Sequence, residues 1–131
     1  MSMPIFHMVS GPLHPVTRYR HGVEIAGRLF VTKHIATDLA YNPTTIPESI
    51  KVQAHKIMQN LRTILQGVGA RLENVFCARV FLTHFDEGYD SMNRVCAGYF
   101  TQHERLARTC VELTALAGGA RVMIDLIARR P

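Results

Sequence analysis

Leu106-Ala107-Arg108-Thr109-Cys110-Val111-Glu112-Leu113 follows a predicted helix that ends in Tyr99-Phe100, and it reads as the entry into a strand. Read that way, it takes its place in a succession of strands and helices. Arg108 is the only strong cation in the stretch. A guanidinium at a strand's mouth, beside strand-edge amides and next to Thr109 and Cys110, offers a planar fork suited to a carboxylate. Spacing alone leaves a second reading open, an arginine in a surface or interface ion pair.

Downstream, Ala117-Gly118-Gly119 marks a turn and residues 121–128 form a last strand. Val122, Ile124, Leu126 and Ala128 share one face of it, with Arg121, Met123 and Asp125 on the other. Upstream, Phe85, Tyr89, Met92, Cys96 and Phe100 recur at helical spacing. That helix is entered through His84-Phe85-Asp86-Glu87-Gly88, whose acidic residues suit a helix N-terminus. Val75 to Thr83 is apolar on both parities, as expected of a strand covered on both sides. Before it, Ile46-Pro47-Glu48-Ser49 opens another helix, with Pro47 in the first turn and capping-box spacing from Thr45 to Glu48. Ile50, Ala54, Ile57, Leu61, Ile64, Leu65 and Val68 mark its buried face and Gly69 its end, while His55, Lys56, Gln59 and Arg62 fall on or near the other side. Val23–Ala26 and Leu29–Thr32 flank Gly27-Arg28 as a tight hairpin. Residues 1–18 and 33–45 are expected as extended chain or loop.

The order ββ(β)αβαββ predicts an α+β fold, a mixed sheet packed by two helices on one face. The other face needs a cover, so oligomerisation is expected. A chain of 131 residues, 47% hydrophobic and 19% charged, is read as a single domain over 1–131. No apolar run approaches the roughly 18–20 residues of a membrane span. Met1 to Ser10 carries neither a basic region nor an apolar core of a leader, so the chain is expected to be soluble and cytoplasmic.

Cys77, Cys96 and Cys110 are widely spaced, which argues against a disulfide framework and a structural zinc site. Cys77 and Cys96 read as small core residues; only Cys110 lies near the proposed site. The seven histidines form no metal-ligand motif, so no metal is expected. The net charge of +5 is spread over the chain without a basic block, which argues against nucleic acid as a partner. No nucleophile elbow, P-loop or dinucleotide fingerprint occurs. Gly67-Val68-Gly69 closes a helix instead of opening one. Tyr19, Thr32 and His34 are polar groups at sheet ends, where sites gather, though each also has an ordinary structural role.

Several pieces then align in order and spacing: Gly27-Arg28-Leu29-Phe30-Val31-Thr32, Asn60-Leu61-Arg62-Thr63-Ile64-Leu65 through Gly69-Ala70, and Asn74-Val75 into Val80-Phe81-Leu82. They continue with Met92-Asn93, Tyr99-Phe100, Ala107-Arg108-Thr109-Cys110-Val111-Glu112 and Ile124-Asp125-Leu126-Ile127-Ala128. Over nearly its whole length the chain resembles the Rid family, reactive intermediate deaminases also called YjgF-like or L-PSP proteins. The resemblance implies a chorismate-mutase-like fold in a homotrimer, with the sheets forming a barrel-like centre and ligand clefts between subunits. It implies hydrolysis of reactive enamines and imines, such as 2-aminoacrylate, to 2-keto acids and ammonia, a form of metabolite damage control that uses no cofactor. Arg108 then takes the place of the arginine that holds the substrate carboxylate. Tyr19, Thr32 (where the family has serine), Asn93 and Cys110 take places that line the cleft.

The departures bear on the chemistry. Met123 stands where the resemblance implies a glutamate that positions or activates water, and a thioether does neither. Asp125 shares its face two residues on, roughly 6–7 Å away. Thr32-Lys33-His34 replaces Ser-Gly-Gln, so Lys33 alters a backbone that otherwise approaches the ligand closely. Leu106 replaces a proline. The leading expectation is an enamine/imine deaminase acting on a small 2-imino acid. The alternative is a trimeric small-carboxylate-binding or regulatory protein that has lost the deaminase chemistry, and a third reading is an enzyme for a larger or more apolar imine. Asp125 and His34 are the candidates to compensate for Met123. A ribonuclease reading lacks a catalytic histidine pair.

Overall fold

Ala26 and Gly27 both take positive φ, 51° and 77°, the signature of the tight hairpin turn whose twist matches its strands. They join β2 (Gly22–Ile25) to β3 (Arg28–His34), one residue earlier than the Gly27-Arg28 turn expected from sequence. In the computed structural model, residues 3–7, 21–36, 46–101 and 106–131 are described. β1 (Ile5–His7) pairs antiparallel with β2. The remaining strands are β4 (Val75–Leu82), β5 (Ala107–Glu112) and β6 (Val122–Arg129). Together they form a six-stranded mixed sheet in the order β1-β2-β3-β6-β4-β5. Among the described strands only β4 and β5 pair in parallel, so the chain between them must cross over the sheet, and a helix provides that crossover.

Helix α1 spans Ile50–Gly67. Its cap is Ser49, whose hydroxyl accepts a hydrogen bond from the Val52 N–H at 3.4 Å. The helix therefore starts after the Pro47 turn, not within it. The Pro47 carbonyl instead accepts from the Gln53 amide at 2.6 Å, which occupies it outside the helix. At the other end Gly69 takes φ 82°. Its N–H bonds the Gln66 carbonyl at 3.1 Å, and the Ala70 N–H bonds that of Leu65 at 2.8 Å. This is the left-handed glycine stop that satisfies the last carbonyls.

Helix α2 spans Phe85–Tyr99, entered from His84 at φ 53° with Asp86 and Glu87 in its first turn. The Phe85 N–H is satisfied from outside the helix, by the Glu112 carboxylate of β5 at 3.0 Å. Gly88 lets α2 lie close on α1: a Cβ there would sit 2.3 Å from Ile50 Cδ1.

Both helices cover one face of the sheet. Beneath them Leu29, Val31, Ala78, Val80, Leu82, Val122, Ile124, Leu126 and Ala128 join the buried stripes of α1 and α2 in one core. The parity expected of β6 holds: Val122, Ile124, Leu126 and Ala128 face this core. The opposite face carries Phe30, Cys77, Arg79, Phe81, Val111, Met123, Asp125 and Ile127. Phe30 and Val111 remain 42% and 39% exposed there. Among the described residues, β4 is thus covered on one side only. Cys77, expected in the core, is half-buried on this uncovered face, whereas Cys96 is buried as expected.

The hairpin, the end of α1 and the last residues are tied together. Arg130 donates to Glu24 at 2.5 and 3.2 Å and to the Val68 carbonyl, and its own N–H bonds the Gly27 carbonyl at 2.7 Å. His7 also meets Glu24, at 3.0 Å. Hydrogen bonds from Arg130 first, then from His7, hold the Glu24 carboxyl down at about 2.

Candidate functional site

Parallel pairing sets Ala78 beside Arg108, Val80 beside Cys110 and Leu82 beside Glu112. Since β4 turns Ala78, Val80 and Leu82 toward the helices, Arg108, Cys110 and Glu112 point to that side of the sheet too. β5 is an edge strand, so Arg108 stands where the helical layer runs out. It is half-buried and meets Tyr89 of α2. Its Nη2 donates to the Tyr89 hydroxyl at 3.2 Å, and the guanidinium carbon lies 5.9 Å from that ring's centroid. Tyr89 in turn stacks on Phe85, with centroids 4.9 Å apart and planes at 17°. Asn93 is one helical turn beyond Tyr89 on α2 and half-buried. Cys110 is half-buried beside them. Burial raises its thiol above the ordinary 9.0 and the nearby Arg108 lowers it in part, so it is a neutral thiol at pH 7. Burial pushes Cys96 further, to about 11.

Among the described residues no carboxylate lies within ion-pair distance of Arg108. Glu112, the carboxylate on the same face of β5, is four residues on, roughly 13 Å away, and accepts from α2. The guanidinium is therefore held in place by a phenol and an aromatic face, with its charge uncompensated by these neighbours and donors left over for an anion.

The other expected site residues are not all beside it. Met123 pairs with Phe81 on the uncovered face, three positions along β4 from Arg108 and two strands away, roughly 14 Å between backbones. Within one chain Arg108 and Met123 do not meet. Thr32 and Lys33 lie in β3 where the pairing with β6 slips, between Val31 opposite Leu126 and His34 opposite Ile124. The slip is a bulge, and bulges re-aim the chain beside sites. Tyr19 lies outside the described residues.

Of the two candidates to replace the missing acid, Asp125 is already engaged. Asp125 is locked in a two-pronged pair with Arg79, Nε to Oδ1 at 2.9 Å and Nη2 to Oδ2 at 2.6 Å. His34 stacks near His21, centroids 6.3 Å apart, and its buried Nε2 has no partner among the described residues. Burial first, then the electrostatic influence of His21, push its imidazole down to about 4. Within one chain β3 is separated from β5 by β6 and β4. Among the described residues no group of three or more His, Cys, Asp or Glu could hold a metal ion. Two open clefts lie away from Arg108. One lies between the helices and is lined by Lys51, His55, Arg94 and Tyr99. The other lies at the sheet end and is lined by Gln53, His84, Glu87 and Arg121.

The sequence had placed Tyr89 in the buried stripe of α2 and missed its contact with Arg108. The available signal was the Phe85/Tyr89 pair at i and i+4, which puts two aromatic rings on one helical face.

Fold and site together define a small α+β protein whose edge strand carries an arginine held by an aromatic hydroxyl, with no described carboxylate paired to it. Residues 10–130 match the family described as Endoribonuclease L-PSP, and the chain belongs to that family. It is 31% identical to a RutC family protein of Synechocystis over 100% of this chain and 99% of the relative. It is 26% identical to the 2-iminobutanoate/2-iminopropanoate deaminase of Escherichia coli K12, over 86% of this chain and 87% of that one. Among solved structures, yeast Mmf1 superposes with a TM-score of 0.85 at 25% identity, covering 97% of this chain and all (100%) of its own. The yeast protein YEO7 shares the fold at a TM-score of 0.89, 22% identity, and 98% and 100% coverage.

Proposed function

We propose that the protein hydrolyses small reactive 2-imino acids, and the enamines that tautomerise to them, to 2-keto acids and ammonia. The observation that carries this reading is Arg108, fixed by Tyr89 and lacking a carboxylate partner among the described residues, in a chain related to a 2-imino acid deaminase. The substrate carboxylate docks on the guanidinium fork. Water adds to the iminium carbon, the carbinolamine forms, the C–N bond breaks and ammonia leaves as the C=O bond closes. An iminium is already electrophilic, so orientation and charge placement supply much of what the step needs.

The bare sheet face supports a homotrimer, in which apolar residues such as Phe30 and Val111 are covered by neighbouring copies. The separation of Arg108 from Thr32, Lys33 and Met123 within one chain supports a cleft built from two copies. No described helix is long and apolar enough to cross a membrane. The three free cysteines suit a reducing cytoplasm.

A second reading is favoured by two observations: Met123 carries no acid, and Asp125 is engaged by Arg79. The protein then binds small 2-oxo acids without turning imines over. Making 2-iminopropanoate in situ with an amino-acid oxidase separates the two, because deaminase activity shortens its lifetime and releases pyruvate faster than buffer does. Calorimetric binding of pyruvate with a lifetime equal to buffer selects the binding reading. Met123→Glu tests the missing acid, and it is expected to raise kcat at least about tenfold if a carboxylate there activates water.

A further inference from the structure

The partner that fixes Arg108 also faces whatever binds to it. The Tyr89 hydroxyl accepts its hydrogen bond from Arg108 Nη2, so its own proton is available to a second acceptor. A carboxylate docked on the fork brings an oxygen next to that proton. Behind the hydroxyl, the half-buried rings of Tyr89 and Phe85 stack into one aromatic wall on α2. Across from it on β5 stands Cys110, a half-buried and neutral thiol that adds soft apolar surface. No described carboxylate or ammonium is paired to Arg108 here, so the substituent of a docked 2-imino acid meets rings and sulfur. The Glu112 carboxylate, which accepts from the Phe85 N–H at 3.0 Å, stands at the far end of the wall.

We infer that Tyr89 is a positioning and specificity-determining residue: its hydroxyl completes the carboxylate anchor, and its ring, with Phe85, selects 2-imino acids bearing a bulky apolar or aromatic side chain. The inference rests on Arg108 being the carboxylate anchor. Aromatic substituents gain from offset or edge contacts with such a wall beyond the area they cover. A methyl or ethyl substituent gains little from it.

The test uses the stable 2-oxo acid products, pyruvate and phenylpyruvate, as calorimetric probes on the full-length protein, with the imine rates measured alongside. Wild type is expected to bind phenylpyruvate about tenfold or more tighter than pyruvate. Tyr89→Phe keeps the wall and removes the hydroxyl, so both acids weaken by the same factor, about fivefold. In the kinetic assay this variant raises KM for both imines with little change in kcat. Tyr89→Leu keeps apolar bulk but not the aromatic face and collapses the preference for phenylpyruvate. A purely structural tyrosine would lower the melting temperature without moving the ratio between the two acids. If the ratio is unchanged in Tyr89→Leu and both affinities survive Tyr89→Phe, the inference fails while the carboxylate anchor stands. If wild type binds neither acid, the anchor fails and this inference fails with it.

Discussion

Arg79 and Arg108 leave neighbouring strands on opposite faces of the sheet, and they meet different partners. Arg79 grips Asp125 through two hydrogen bonds and lies over the Phe81 ring at 5.6 Å. Its fork is full, and the pair raises the Arg79 pKa above its ordinary value. Arg108 has an aromatic neighbour too but a phenol in place of the carboxylate. An arginine matched to an internal acid fastens the fold. One matched to a phenol keeps a charge that no described carboxylate offsets. Arg130, clamped by Glu24, belongs with Arg79.

The comparison breaks most visibly on activity. Arg108→Ala is expected to cost about a hundredfold or more in kcat/KM for 2-imino acids, in keeping with the loss of a two-pronged charged anchor. Its melting temperature should stay close to wild type. Arg79→Ala should show the reverse, and activity retained in Arg108→Ala would end the contrast.

The next effect is on acid stability. Glu24 is held at about 2 in the fold against 4.5 when free. A depressed carboxyl stabilises the fold fully above the free value, and that contribution is lost as pH falls from about 4.5 toward 2. His34 acts in a neighbouring window: kept neutral down to about 4 against 6.5, it weakens the fold as pH falls through that range. Melting curves from pH 7 to 3 should therefore fall in two overlapping stages. Glu24→Gln should remove the lower one and His34→Phe the upper.

The smallest expected effect is Asp125→Asn, at about 1 kcal/mol in a denaturant titration, because Arg79 is more than half exposed and solvent screens the pair. A much larger loss would show that this pair is buried in the working assembly.

Elements governed by local spacing were legible in the sequence. The stripe Ile50 to Leu65 and the parity of Val122 to Ala128 depend only on helical and strand periods, and both hold. The start of α1 was misplaced because Thr45 and Ser49 both offer capping hydroxyls, and the choice between them depends on Gln53 drawing the Pro47 carbonyl away. Arg108 was singled out by residue type and setting. Tyr89 and the Arg79–Asp125 pair were not, since each joins residues far apart in sequence and needs the register of β4 against β5 and β6, which no local pattern carries.

That register has a consequence for how the protein is made. β6 is the last strand in chain order, yet it stands in the middle of the sheet, between β3 and β4. During synthesis the hairpin of β2 and β3 and the unit of β4, α2 and β5 leave the ribosome as two halves with no strand between them. Each waits with an unpaired inner edge, open to any stray strand. The closing of the sheet is a late event, and substitutions that slow the arrival or pairing of residues 122–129 should appear first as lost yield, before any loss of stability in the finished molecule.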